Sequence, residues 1–199
     1  MEKLFLEVPT LEREQEAFEY IDEFIENDSD IVGSNGLSRY RKNYQEWLNR
    51  LEMESIPEFC RDGVPSRTFF LIRENDDKIV GMITIYLGFN KRINDFSGNI
   101  CYGIRPFERG KGYNNVNLFL GLKVAQEYGM NNVLLTANKK NIASVSTMKS
   151  FGGVKVKDYF DEDEGYQIVH YVINVNKSLE ENQERFENSI SLDDIKRAI

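Results

Sequence analysis

Arg109, Gly110, Lys111 and Gly112 are four consecutive residues whose types can hold an anion. Two positive charges alternate with two residues that carry no side chain, so backbone N–H groups can come close to a ligand. Before them, Ile100, Tyr102 and Ile104 alternate as in a strand that ends at Arg105-Pro106; after them, a helical pattern runs from Tyr113 to Tyr128. Strand, glycine loop and helix N-terminus in that order make an anion site. The first N–H groups of a helix lack internal partners, and its dipole favours negative charge there. Two familiar versions of such a loop fail on their second requirement. A nucleotide hydrolase loop needs Gly-Lys-Ser/Thr, but Tyr113 follows Gly112 and offers no hydroxyl of that kind for magnesium. A dinucleotide fingerprint needs a third glycine, where Asn115 stands, and an acid near the end of the next strand, where Val133 to Lys140 has none.

Charge agrees with an anionic ligand at this place. Asn99 to Lys157 carries nine Lys/Arg against Glu108 and Glu127, within a chain of 199 residues and net charge −8. The overall balance disfavours nucleic acid as the main partner, and the acidic remainder suits a cationic one. No apolar run approaches the roughly 20 residues of a membrane helix. The first residues show no basic stretch followed by an apolar core, so no secretory signal is expected. Cys60 and Cys101 form no Cys-x-x-Cys pair and are expected as reduced thiols in a cytoplasmic protein. With His170 the only histidine, no metal site is expected.

The elements that must position the loop read in order. Lys3 to Val8 is a strand stopped by Pro9, and Thr10 can cap a helix bearing Leu11, Phe18, Ile21 and Ile25. Ser38 can cap a second helix whose aromatic face, Tyr40, Tyr44 and Trp47 with Leu48 and Leu51, is expected in the core or on the floor of an acceptor pocket. Thr68 to Arg73 and Ile79 to Phe89 form a hairpin, followed by the strand, loop and helix described above, which Gly129 ends. Val133 to Ala137 is a strand, Asn141 to Phe151 a short helix, and Val154 to Phe160 with Gln167 to Val175 a last antiparallel pair around an acidic turn at 161–165. The fold class is α/β (α+β), with helices on both faces of one mixed, mostly antiparallel sheet. Residues 1–176 form the body. Residues 177–199 read as a helical appendage, in which Ser191 caps a final helix bearing Leu192, Ile195 and Ile199 that docks on the body or on a second subunit.

The glycine loop resembles motif A of the Gcn5-related N-acetyltransferases (GNAT), Arg/Gln-x-x-Gly-x-Gly/Ala after the fourth strand. Arg109 and Gly112 match, and Asn114 stands where the family has a small residue. Asn141-Ile142-Ala143-Ser144 is similar to the start of motif B. The runs 104–113, Val64-Pro65-Ser66, Lys78-Ile79-Val80-Gly81 and Gly152-Gly153 are similar to a bacterial subgroup of the superfamily, so the likeness spans about Val64 to Val175. It implies an acyl-CoA N-acyltransferase fold that takes acetyl-CoA as co-substrate. The diphosphate would sit on the amides of Arg109, Gly110, Lys111, Gly112, Tyr113 and Asn114. The pantetheine arm would bond to the strand near Cys101 to Ile104, and to Asn141 and Ser144 from the other side. Lys149 could reach the 3′-phosphate.

The implied reaction is attack of a neutral primary amine on the thioester, with a small amine, polyamine, amino sugar or basic peptide as acceptor. Two familiar catalytic side chains are missing. Asn99 lies in the region where many members have a glutamate base, and Met148 stands seven residues after Asn141 where they have a tyrosine acid. Asn99 holding a water, or His170, could move the proton. Tyr86 and Tyr102 are candidates for the acceptor cleft. A non-catalytic acyl-CoA-binding module is the alternative. A homodimer through the tail is also open.

Overall fold

The computed structural model describes residues 2–60 and 63–196. Period-two alternation drives the first layer. In Leu4–Glu7 (β1), Ser66–Arg73 (β2) and Lys78–Tyr86 (β3), side chains take opposite faces in turn. Leu4, Leu6, Phe69, Leu71 and Ile83 enter one core, while Phe5, Phe70, Ile72 and Met82 enter another. The second core is closed by Glu14–Glu26 (α1) and Tyr44–Glu54 (α2), through Tyr20, Phe24, Tyr44 and Trp47. The predicted aromatic face of α2 is therefore core, with Trp47 stacked on Phe70 at 6.0 Å. Its cap is not Ser38, which lies in a 3-10 turn. Asn43 stands next to the helix, and its side chain accepts from Glu46 N–H at 3.2 Å.

Ile100–Ile104 (β4) pairs antiparallel with β3, and the loop at 105–112 leads into Tyr113–Glu127 (α3). Asn132–Asn138 (β5), Ile142–Ser150 (α4), Val154–Asp161 (β6) and Tyr166–Asn174 (β7) follow. The expected single sheet is two sheets. One has the order β4-β3-β2-β1 and continues to a further strand; the other is β5-β7-β6. They meet at one bridge, Gly98 to Leu135. Gly98 has φ +66, and a Cβ there would lie 2.5 Å from Leu134 O, so a side chain would push the sheets apart at this junction.

The chain end differs from expectation. Val175–Phe186 (α5) is a helix whose Leu179 and Phe186 join the first core, with Phe186 stacked on Phe151 and tilted against Phe119. The predicted final helix is instead a strand, Ile190–Lys196 (β8), parallel to β1. Ile199 lies outside the described residues. The reason is tertiary: β1 has a free edge, and Leu4 N–H to Ser189 O at 3.0 Å and Val8 N–H to Lys196 O at 3.1 Å satisfy it. Ser191 and the partly buried Ile190 and Ile195 then pack inward, while Leu192 is left fully exposed.

Candidate active site

The sequence builds an uncapped helix end. Gly110 and Gly112 have φ of +78 and +83, and a Cβ on either would meet no protein atom within 4 Å. The open space beside them is room for a ligand, and the left-handed backbone is what excludes other residues. Gly112 is the N-cap of α3 and no side chain caps it, so the first N–H groups of α3 are left for a ligand.

Two buried carboxylates hold the loop from below. Glu23 accepts from Arg105 Nε and from Phe107 N–H (2.8 Å). Glu108, 5% exposed, accepts from Arg73 (2.7 Å), Lys78 (3.2 Å) and Lys111 (2.7 Å). Burial pushes its carboxyl up, but the hydrogen bonds from Lys111, Arg73 and Lys78 outweigh it and hold the group at about 2. Among the described residues Arg109 has neutral partners, Ile104 O at 3.1 Å and Ser29 Oγ at 2.7 Å, and sits over the Phe24 ring. It ties the glycine loop to the loop after α1.

A cleft of ≈ 690 Å³ runs past these groups. Tyr102, Ile104, Arg109, Gly110, Gly112, Tyr113, Asn114, Asn141 and Ser144, all predicted for the site, line it together. Lys111 does not. Its ammonium is engaged by Glu108. Lys149 is likewise outside the wall. At one end the cleft adjoins a second cavity of ≈ 350 Å³, with Asp30, Val32, Tyr102, Asn141 and Ser144 common to both. This second space lies between the parted strands, with Cys101 and Tyr102 on one side and Thr136, Ala137 and Asn138 on the other. Asp30, Asp161 and Glu164 give it three carboxylates.

The parted edge of β4 supplies backbone groups. Arg105 N–H bonds to Val80 O, and Asn99 O accepts from Tyr86 N–H, so the odd-numbered residues face β3. Antiparallel alternation then turns the N–H groups of Tyr102 and Ile104 toward the gap. The Ile104 carbonyl is taken by Arg109. Across the gap, Asn141 Oδ1 caps α4 by accepting from Ser144 N–H at 3.1 Å, which leaves its Nδ2 as donor. The Tyr102 hydroxyl is buried without a hydrogen-bond partner, as is Asn114 Oδ1. Burial pushes the Tyr102 phenol up to about 12 against the lowering effect of Ser144 and Asn114, so it is neutral and protonated.

The other predicted residues lie elsewhere. Asn99 is fully buried and committed: Nδ2 donates to Tyr86 O and Gly88 O, and Oδ1 accepts from Leu134 N–H. It clamps the two sheets beside Gly98 and lines neither cavity. His170, 1% exposed, packs against Tyr159 outside both walls; burial first and Lys157 second lower its pKa. Tyr86 lies under Arg92, also outside. Met148, 2% exposed, lines the second cavity. Sequence reasoning missed Ser29, Asp30, Val32, Thr147 and Arg185, which come from a loop and helices with no local signal of a site. The acidic turn at 161–165, visible in the sequence, supplies Asp161 and Glu164 to the second cavity. Among the described residues no group of three His, Cys, Asp or Glu is placed to hold a metal ion, and no helix is long and apolar enough to cross a membrane.

A sheet parted beside a glycine-headed, uncapped helix is the architecture of an acyl-CoA N-acyltransferase fold. The sequence model of the Acetyltransferase (GNAT) family matches residues 35–152, and the chain belongs to that family. No curated protein matches it in sequence. Among solved structures it is similar to the dodecameric spermidine N-acetyltransferase from Vibrio cholerae (TM-score 0.61, 14% identity, 90% of this chain and 98% of that one). It is similar also to the Microcin C7 self immunity acetyltransferase MccE, solved with acetyl-CoA and AMP (TM-score 0.60, 16% identity, 86% and 92%). A GNAT-family acetyltransferase from Bacillus anthracis gives TM-score 0.59 at 14% identity, over 88% and 99%.

Proposed function

We propose that the chain transfers an acetyl group from acetyl-CoA to a primary amine that carries further positive charge. The observation that carries this reading is the meeting of two unlike cavities at Tyr102, Asn141 and Ser144. One is floored by an uncapped helix end, and the other adds Asp161 and Glu164 to the Asp30 that both share. The first suits a diphosphate and an amide arm. The N–H groups opening α3, with Arg109 beside them, would hold the former. The strand N–H groups of Tyr102 and Ile104 and the Asn141 Nδ2 would hold the latter. The second cavity suits ammonium groups. That structural neighbours include a spermidine N-acetyltransferase and an acetyltransferase solved with acetyl-CoA supports both halves.

The thioester supplies an activated acyl carbon. What remains for the protein is to orient the amine, polarise the carbonyl and move two protons. A strand N–H at Tyr102 or Ile104 polarises the carbonyl oxygen. As the amine nitrogen bonds to the acyl carbon and the C–S bond breaks, the Tyr102 hydroxyl gives its proton to the departing sulfur. The proton lost by the amine returns to the phenolate through water at the cavity junction, so the balance closes. Tyr102 thus does from β4 what a tyrosine at 148 would do from α4.

The test is to incubate the protein with acetyl-CoA and a panel of mono-, di- and polyamines while following free thiol. Amine-dependent thiol release, fastest for amines with a second ammonium group, is the expected result. Saturable binding of acetyl-CoA with no release across the panel would favour the non-catalytic module.

A further inference from the structure

The strands and loops of the family match end at residue 152, yet one wall of the cleft comes from beyond it. Arg185, in the last turn of α5, lines the cleft with Ser146, Thr147 and Ser150 of α4. Its position along the cleft can be read from α4. Asn114, at the glycine end of α3, reaches Thr147 (3.4 Å). Ser150 is one helical turn further, about 5 Å along the axis. Phe151 follows and stacks on Phe186, and the Arg185 guanidinium lies over that pair, 4.7 Å from the Phe186 centroid and 6.0 Å from that of Phe151. Arg185 therefore stands one turn beyond the diphosphate level, away from the parted strands.

Its charge is uncommitted. Among the described residues, its guanidinium donates to the neutral Asn182 Oδ1, at 3.3 Å, and pairs with no carboxylate. Glu181, four residues earlier on the same helix face, pairs with Lys177 instead. A planar guanidinium oriented by two rings and free of a carboxylate is a phosphate-recognising group. Lys149, which a reading of the sequence offers for this role, is outside the cleft wall.

We propose that Arg185 recognises the 3′-phosphate on the ribose of coenzyme A, so that the C-terminal helix completes the cofactor site. The proposal rests on the acetyl-CoA reading given above. It makes α5 part of the binding machinery as well as part of the core.

The experiment is calorimetric titration of coenzyme A and 3′-dephospho-coenzyme A into the wild type, Arg185→Met and Arg185→Lys. Met keeps an unbranched stem over the rings and removes the charge; Lys restores a charge without the planar fork. The wild type should prefer the phosphorylated form by roughly five- to tenfold, as for a partly exposed charge-assisted contact. Arg185→Met should bind both forms alike, with its affinity for the dephospho form within about twofold of wild type, and Arg185→Lys should keep part of the preference. An unchanged preference in Arg185→Met, or none in the wild type, overturns the proposal while leaving the acetyl-CoA reading standing. Failure of the wild type to bind either form would overturn both.

Discussion

Tyr102 and Glu108 show how one residue's surroundings decide its chemistry. Both are ordinary in type and neither has a motif of its own. Tyr102 is protonated because burial outweighs its two polar neighbours, and it stands where the cavities join. Tyr102→Phe should lower kcat by about 100-fold and leave acetyl-CoA affinity unchanged, as removing a proton donor from the chemical step does. Steady-state rates beside titrated affinities check this, and an unchanged kcat would remove Tyr102 from the mechanism. Glu108 is the opposite case, a carboxylate held at about 2 by Lys111, Arg73 and Lys78. Its folded pKa is below the ordinary value, so its contribution to stability is complete above about pH 5 and is lost as pH falls toward 2. Glu108→Gln should cost about 2 kcal/mol at pH 7, because the buried Arg73 is left with Asp76 while the more exposed Lys78 and Lys111 lose their shared carboxylate. In urea titrations the gap between wild type and variant should narrow at pH 3. A gap of constant size would mean that the carboxylate charge is not what Glu108 contributes.

At the scale of elements, the strand–loop–helix unit from Ile100 to Glu127 was legible because its signals are local. Alternation, two glycines in a basic run and an apolar helix all lie within one stretch of sequence. The left-handed backbone at Gly112 and the lack of a side-chain cap on α3 follow from that stretch alone. Gly112→Asp should abolish the thermal stabilisation that acetyl-CoA gives the wild type, because a carboxylate would face the anion. Gly112→Ala carries the backbone strain, about 1 kcal/mol, without the charge, and should keep a weaker response. Equal stabilisation of Gly112→Asp and wild type would move the site elsewhere. The Lys111 side chain shows the limit of such local signals. Its type suits an anion, but its nearest carboxylate, Glu108, is three residues away on the same turn and takes it first.

Across the whole molecule, the gap between β4 and β5 is the decisive feature, and Asn99 and Gly98 set it. Asn99 was expected near the chemistry and instead bonds three backbone groups, holding the sheets together at one end so that they part at the other. The tail has a global role as well. β8 covers the edge of β1 and carries Asp194, which pairs with Lys123 of α3. Ending the chain at 188 should lower stability by about 2–4 kcal/mol, from lost apolar burial and an exposed strand edge. Urea unfolding measures this, and an unchanged midpoint would mean that the last strand is peripheral.

The residue order alone determined the glycine loop, the helix it opens, most strands and the likeness to the GNAT family, since each depends on neighbours within a turn or a hairpin. Only the tertiary structure decided that 190–196 is a strand, because that segment's conformation is dictated by an unpaired edge some 180 residues away. It alone decided which polar residues line the two cavities and which are held in other contacts. Asp30, the turn bearing Asp161 and Glu164, and Arg185 reach the two cavities from separate parts of the chain, while Asn99, Lys111 and His170 are claimed by other contacts. Burial and long-range pairing make that choice, and neither can be read from spacing along the chain.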